Sequence, residues 1–210
     1  TPTTIGTYYW VASATGNANN NAIPASACGA AGETLTVTKA SRGTTTTLTL
    51  SSASITYGTE TVETFTAKVT GQAGDGYPEG TVSIKTGTIV EATATLVSHT
   101  GVTATYRVTL TASQLAAKTS YSLRATFNPT VTTSSSTPNF AYTTSSSTPA
   151  QSFTVTKASP TLTTTAATPG TVFSPVHDKA TVSGGGSPSG TITFTLYGPS
   201  VAASCTTADN

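Results

Sequence analysis

Charged side chains are scarce in this chain of 210 residues. Only 8% of the residues are Asp, Glu, Lys or Arg, and the formal net charge is +1. Typical globular domains carry about 25% charged residues, and chains that are disordered because of their charge carry an excess of one sign. A nucleic acid or an anionic membrane surface would require a basic face. The composition therefore argues against charge-driven disorder and against both kinds of partner.

Features of membrane proteins and of common enzymes are also missing. No apolar run approaches the roughly 20 residues of a membrane-spanning helix, and no signal peptide is present. No phosphate-binding Gly-x-x-x-x-Gly-Lys and no zinc-ligand spacing occurs. His177 and Asp178 lack a nucleophile elbow to complete a triad, and Asp75 and Glu79 lack the alternating acids of a calcium loop. We therefore expect no enzymatic activity, no metal and no cofactor.

Threonine is abundant where charge is scarce, filling about a quarter of the positions. Stretches such as residues 44–50 and 104–110 alternate apolar residues with threonine or another polar residue. A period of two with β-branched residues is typical of half-buried strands. Clusters of Gly, Pro, Asn and Ser separate such stretches about every ten residues, the rhythm of a β-sandwich. The sequence predicts an all-β protein built of β-sandwiches.

One seven-residue segment occurs twice and organises the chain. Leu-Thr-Val-Thr-Lys-Ala-Ser at residues 35–41 returns as Phe-Thr-Val-Thr-Lys-Ala-Ser at residues 153–159. Two further landmarks also recur, a Tyr-containing stretch at residues 6–12 and 119–125 and a Pro-x-Gly-Thr stretch at residues 78–84 and 188–194. Landmarks that recur in a fixed order indicate tandem copies of one kind of domain.

The two copies of the repeated segment are the seams, where one unit ends and the next begins. They divide the chain into one whole unit and two halves. Residues 41–158, the middle unit, hold the full set of landmarks and should fold as an independent sandwich. Residues 1–40, the N-terminal half, hold only the C-terminal part of such a unit. Residues 159–210, the C-terminal half, hold only an N-terminal part. We therefore expect the chain to be a piece of a longer protein.

The order of these landmarks resembles the bacterial immunoglobulin-like repeats of large surface and secreted proteins, especially those of actinobacteria. In that family a Val-Thr-Lys-Ala seam, a Pro-x-Gly-Thr-Val-x-Phe stretch, Gly-Thr-Tyr-x-x-x-Ala and Gly-Asp-Ala-Asn-Asn follow one another. This chain departs from the pattern at Asn17, which replaces the Asp, and at Ser120, which stands at the Thr. The resemblance implies tandem immunoglobulin-like β-sandwiches at the cell surface or outside the cell, acting as stalks, spacers or adhesive arrays.

Aromatic residues occupy equivalent positions in the repeated stretches. Tyr8 and Tyr121 could each form the tyrosine corner of an immunoglobulin-like sandwich, with a buried ring and a hydroxyl bonded back to the backbone. Trp10 aligns with Leu123 on the same face. We therefore expect Trp10 to be a buried core residue, and a sugar-stacking platform is the alternative.

The two cysteines lie in different halves, Cys28 in the first and Cys205 in the second. Two cysteines in a secreted sandwich suggest one disulfide. Joined in the order 159–210 then 1–40, the halves would approximate one domain that holds both cysteines and lacks about one strand. We expect a Cys28–Cys205 disulfide between neighbouring chains or repeats, in a head-to-tail contact that makes a filament where it does not close. An arbitrary fragment of a longer protein is the alternative.

Two groups of loop residues are candidates for contacts with other molecules. Tyr77, Phe140 and Tyr142 are possible ligand-contacting residues, and Thr137 and Thr148 lie in Ser/Thr-rich runs with Pro that can be O-glycosylated. We predict a structural extracellular repeat that forms a stalk, spacer or head-to-tail filament, with neighbouring copies or repeats of itself as partners. The alternative is an adhesin module that binds a carbohydrate or a protein on a host surface through the sandwich-end loops.

Overall fold

The computed structural model describes residues 1–2, 4–130, 140–166 and 170–199 together with Cys205. One 3-10 turn, Glu60–Val62, is the only helical element among these residues. In chain order the strands are β1 (Gly6–Tyr9), β2 (Thr34–Val37), β3 (Ala40–Arg42), β4 (Thr45–Leu50), β5 (Ser54–Thr56), β6 (Thr64–Thr70), β7 (Gly80–Thr86), β8 (Ile89–Thr100), β9 (Thr103–Thr109), β10 (Lys118–Pro129), β11 (Phe140–Tyr142), β12 (Ser145–Ser146), β13 (Gln151–Thr156), β14 (Thr161–Ala166) and β15 (Asp178–Ser183). The predicted all-β class is confirmed.

The largest sheet curls back on itself to form a sandwich-like body. Within the described residues its strand order is β4-β6-β9-β8-β7-β10-β13-β5, with β12 beside β10. The long strand β8 links the two layers, because its first half pairs with β7 and its second half with β9. The pairing with β9 shifts register between Leu96 and Ser98, and such irregularities bend a strand. One strand therefore belongs to both layers.

Side chains at alternate positions fill the space between the layers. Phe65 packs edge-to-face against Phe153 with ring centroids 5.3 Å apart, and the rings of Tyr106 and Phe127 lie 5.9 Å apart. The fully buried apolar side chains of β6, β7 and β10 come from every second position, namely Phe65, Ala67, Val69, Val82, Ile84, Leu123, Ala125 and Phe127. This is the period of two from which the sequence predicts half-buried strands.

The first strands of the large sheet in chain order, β4 and β5, lie in different layers. β4 pairs antiparallel with β6, whereas β5 pairs in parallel with β13. The buried carboxylate of Glu63 fixes the crossing, since its Oε1 accepts hydrogen bonds from the backbone N–H groups of Ser51 (3.0 Å) and Ser52 (3.2 Å). Backbone donors of this kind are what a buried carboxylate requires. The crossing ties both layers together at one edge.

The seam between the N-terminal half and the middle unit is hydrogen-bonded to the middle unit. β3 crosses the seam and pairs in parallel with β11, placing Ala40 opposite Phe140 and Arg42 opposite Tyr142. The backbone N–H of Thr143 also donates to the carbonyl of Arg42 at 2.8 Å. The chain is therefore held against the middle unit where it enters.

The seam between the middle unit and the C-terminal half is held by a close approach of glycines. A Cβ added to Gly58 would lie 2.7 Å from the Cα of Gly186, and one added to Gly186 would lie 2.8 Å from the ring of Tyr57. Gly58 also has a φ of +89°, which L side chains rarely adopt. Only residues without a side chain allow this contact, so the second seam is packed as well.

Each flanking half forms a separate hairpin. β1 pairs with β2 in the N-terminal half, and β14 pairs with β15 in the C-terminal half. Neither hairpin joins the large sheet in the described part of the chain, and the two do not pair with each other. Residues 190–196, which align with β7, form no strand. Among their described residues, the halves therefore lack the second layer that the middle unit has.

Candidate functional site

The two repeated tyrosines make the same contacts in the N-terminal half and in the middle unit. The Tyr121 hydroxyl donates to the carbonyl of Ala116, five residues upstream, at 2.7 Å. The Tyr8 hydroxyl donates to the carbonyl of Thr4, four residues upstream, also at 2.7 Å. The hydroxyl-to-backbone bonds predicted for both tyrosines are therefore confirmed, although the ring is buried only at Tyr121 and half-buried at Tyr8.

The strand register around the two tyrosines is also the same. Tyr121 pairs with Phe153 across β10 and β13, and Tyr8 pairs with Leu35 across β1 and β2. Leu35 and Phe153 are the first residues of the two seam copies. The hairpin of the N-terminal half thus reproduces the β10–β13 hairpin of the middle unit, residue for residue at this point.

The inward face of the N-terminal half is open to solvent. Trp10 is 68% exposed, whereas the aligned Leu123 is 0% exposed. Leu35 is 38% exposed, whereas the aligned Phe153 is fully buried. The prediction that Trp10 is buried is wrong within the single chain, because no second layer of described residues covers β1 and β2. The apolar pattern is present, but the described part of the chain places no strands over it.

The C-terminal half has a matching open face. Phe194 is 53% exposed, whereas the aligned Ile84 is 0% exposed, and Ile192 and Leu196 on the same alternation are exposed as well. A groove of about 680 Å³ runs between this segment and the β14–β15 hairpin, lined by Ala166, Gly170, Val176, His177, Asp178, Phe194, Thr195 and Leu196. Four of these side chains are apolar, so the groove is an uncovered half of a core.

One end of the middle unit carries an ion pair and a buried tyrosine. Arg42 Nε lies 2.9 Å from Asp75 Oδ2, and Asp75 is buried. The hydroxyl of Tyr142 donates to the carbonyls of Asp75 (3.2 Å) and Gly76 (3.0 Å). Burial raises the pKa of Tyr142, and the neighbouring Asp75 raises it further. Tyr142 therefore anchors the β6–β7 loop, and its hydroxyl is occupied by the protein itself.

Tyr77 lies in the same loop and forms a small aromatic stack. Its ring lies 3.8 Å from that of His99, with 12° between the ring planes. A hydrogen bond to the Glu79 side chain raises the pKa of Tyr77, and burial contributes a smaller rise. Tyr106 also holds the loop in place, because its buried hydroxyl donates to the carbonyl of Pro78 at 2.7 Å. Nothing in the local sequence around His99 indicated this stack, which joins residues that are distant along the chain.

The other predicted site residues lie in β11, after β12 and in the two flanking halves, or outside the described residues. Phe140 lies in β11, and Thr137 lies outside the described residues. Thr148 is exposed, and its Oγ1 accepts a hydrogen bond from Arg124 Nη1 at 3.2 Å. Cys28 and Cys205 are both exposed and are not bonded to each other within the chain.

Across the ranges that the structure describes, no three His, Cys, Asp or Glu side chains are grouped as a metal site would require. In the same ranges no helix is both long and apolar enough to cross a membrane.

Compared with known proteins, the chain matches no family model, no curated protein and no solved structure. The features that stand out are therefore the two open apolar faces and the loop around Tyr77.

Proposed function

We propose that this chain belongs to a structural extracellular array of immunoglobulin-like repeats that acts as a stalk, spacer or filament. The strand order supports the immunoglobulin-like assignment, since β4, β6 and β9 lie in one layer, β7, β10, β13 and β5 lie in the other, and β8 pairs with both. A first strand split between both layers and a tyrosine bonded to the backbone upstream are features of such sandwiches. The array has no catalytic role in this proposal.

The observation that carries the spacer role is that both seams are fixed to the middle unit. β3 pairs with β11 at the first seam, and Gly186 packs on Tyr57 at the second. Flexible linkers rich in glycine and serine behave as random coils, whereas the chain that joins the units reads Val-Thr-Lys-Ala-Ser at both seams. Consecutive units that cannot bend freely keep their ends apart, which is the physical requirement for a spacer.

Distances across the second seam test this role. Spin labels would be placed on cysteines at the exposed positions Val62 and Phe173, in a chain whose two native cysteines are replaced by serine. We expect a narrow distance distribution, and we expect Gly186→Val to broaden it because its side chain would meet Tyr57. Gly43→Val is the matched control, since a Cβ there meets nothing within 4 Å. A broad distribution in the unsubstituted chain would contradict a stiff spacer.

A disulfide between Cys28 and Cys205 of neighbouring copies or repeats would fix such an array covalently. Both thiols are exposed, so both are accessible to a partner. Electrophoresis without reductant should give a ladder that collapses to one band when reductant is added. Two free thiols, measured by alkylation and mass spectrometry of protein purified without reductant, would rule the disulfide out.

The second candidate function is an adhesin that binds a carbohydrate or protein through the loop around Tyr77. The stacked rings of Tyr77 and His99 favour it, because aromatic faces at a sandwich end are suited to sugar rings. A glycan array distinguishes the two functions. Saturable binding that Tyr77→Ala abolishes would support the adhesin, and a spacer binds none of the glycans.

A further inference from the structure

We propose that the two open faces are halves of one composite domain, formed when the N-terminal half of one copy docks on the C-terminal half of a second copy. This inference rests on the proposed function, because it names the partner of the array. The middle unit supplies the template, since it contains the equivalents of both halves in their closed arrangement.

The template shows which strand covers which face. In the middle unit β7 lies beside β10, and their inward side chains Ile84 and Leu123 are both fully buried. Residues 190–196 align with β7, and β1 with the residues after it aligns with β10. Residues 190–196 therefore lack the neighbouring strand that β10 provides for β7. The N-terminal half carries the equivalent of that strand, and Trp10 is exposed on it.

The register of the composite domain follows from the same template. In the middle unit Leu123 pairs with Thr86, Ala125 with Ile84 and Phe127 with Val82. Transferred through the repeat alignment, this register places Trp10 of one copy opposite Leu196 of the other, Ala12 opposite Phe194 and Ala14 opposite Ile192. On the outward face of the middle unit Arg124 pairs with Lys85, so Val11 of one copy would lie opposite Thr195 of the other.

The shapes and chemistry of the two faces are complementary. Trp10 is a large exposed aromatic, and the opposing groove of about 680 Å³ is lined by Phe194, Leu196 and Val176. Aromatic anchors that enter an apolar pocket carry much of the binding energy of protein interfaces. His177 and Asp178 also line the groove, but neither face carries a row of charges that would oppose the contact, so burial of apolar surface drives it.

A second copy is the occupant because one chain does not bring its own halves together. β1 and β2 form one two-stranded sheet and β14 and β15 another, on separate seams of the middle unit. Docking between copies is therefore head-to-tail. Each added copy uses one of its open faces and presents the other to a further copy. Such a heterologous contact continues into a filament unless the rotation between copies closes a ring.

The single tryptophan of the chain reports directly on docking. We expect the emission of Trp10 to shift to shorter wavelength as protein concentration rises, together with an increase in sedimentation coefficient. Phe194→Asp should abolish both changes, because it places a charge in the apolar groove that receives the indole. Tyr9→Ala is the matched control, since Tyr9 aligns with the exposed Ser122 on the other face and should leave both changes intact.

Cross-linking tests the register. Two proteins without native cysteines would be mixed under mild oxidation by copper phenanthroline in air, one carrying Val11→Cys and the other Thr195→Cys. Directly opposite residues lie within disulfide reach, so we expect a covalent dimer. Thr191→Cys replaces Thr195→Cys in the control, where four residues at about 3.3 Å each place the thiols beyond reach. Equal yields in both mixtures, or no dimer in either, would overturn the proposal.

These results separate the two proposals. An exposed Trp10 at all concentrations, with no cross-link, overturns docking between copies and leaves the spacer, because the seam distances are measured in a single chain. A broad distribution of distances across the second seam overturns the spacer role but does not change the result expected for the cross-link.

Discussion

The middle unit and the flanking halves carry the same landmarks in different surroundings. Leu123 and Trp10 hold equivalent positions on equivalent hairpins, yet one is fully buried and the other is largely exposed. The bond from the tyrosine hydroxyl to the backbone is nevertheless the same in both hairpins. Contacts that span a few residues form in either setting, whereas burial depends on strands from elsewhere. Alternation therefore marks which face is suited to a core without showing that a core exists.

The largest expected difference between whole unit and half is folding itself. A protein of residues 41–158 should show a β-type circular dichroism spectrum and a cooperative thermal transition, because both of its layers are present. A protein of residues 159–210 should show no cooperative transition, since two-stranded hairpins are at best marginally stable in water. A molten spectrum for residues 41–158, or cooperative melting of residues 159–210, would invalidate the comparison.

Aligned large-to-small substitutions give the next largest difference. Leu123→Ala should lower the free energy of unfolding of the middle unit by about 2–5 kcal/mol, because it leaves a cavity between the layers. Trp10→Ala should change it by under about 0.5 kcal/mol in dilute solution, because Trp10 is exposed there. Denaturant unfolding followed by circular dichroism measures both. Equal losses would mean that Trp10 is packed within its own chain.

Alkaline pH should destabilise the middle unit. Tyr77, Tyr106, Tyr121 and Tyr142 all have a raised pKa, for Tyr106 mainly because of burial. In the unfolded chain tyrosine loses its proton near pH 10, so the folded state holds more protons above that pH. The stabilisation is complete below about pH 10 and is lost as the pH rises towards the folded pKa. For Tyr106 alone the loss by pH 11 is about 1 kcal/mol.

Urea unfolding at pH 9 and pH 11 checks this expectation. Tyr106→Phe is the informative variant, because it removes the most strongly shifted hydroxyl and should reduce the difference between the two pH values. The same difference in both proteins would show that Tyr106 does not contribute.

The tyrosine hydroxyls give the smallest expected effect. Tyr121→Phe removes the bond to Ala116 and should cost the middle unit about 1 kcal/mol, the usual contribution of one hydrogen bond. Tyr8→Phe removes the equivalent bond to Thr4 but should leave the stability of the middle unit unchanged. Thermal melting of the two variants beside the parent chain tests the pair, and a loss in Tyr8→Phe as large as that in Tyr121→Phe would contradict it.

Local patterns in the sequence predicted much of the fold. The period of two identified the strands, and the repeated Tyr-containing stretches correctly predicted that Tyr8 and Tyr121 have equivalent hydroxyl contacts. Pairings between distant segments could not be predicted. The parallel contacts of β3 with β11 and of β5 with β13 join residues about 100 positions apart, and no periodicity records them.

The loop cluster was predicted only in part. The sequence predicts that Tyr77 and Tyr142 are loop aromatics, which is wrong for Tyr142 because it lies in β11. Their partners His99, Arg42 and Asp75 carry no recognisable pattern in the sequence. The prediction that Trp10 is buried is wrong because alignment with a core residue does not imply that a core is present around it. Whether a second layer is present depends on strands elsewhere in the fold, and the residues of one strand do not encode it.

The parallel pairing of β5 with β13 determines how the middle unit would respond to mechanical tension. The chain enters the unit ahead of β5 and leaves it after β13, so a force that stretches the chain from its two ends would pull these neighbouring strands in opposite directions. The bonds from Thr154 N–H to the Ala53 carbonyl (3.0 Å) and from Tyr57 N–H to the Thr156 carbonyl (2.9 Å) are then loaded together in shear. Bonds loaded side by side must rupture together, whereas a hairpin pulled from its open end unzips one bond at a time.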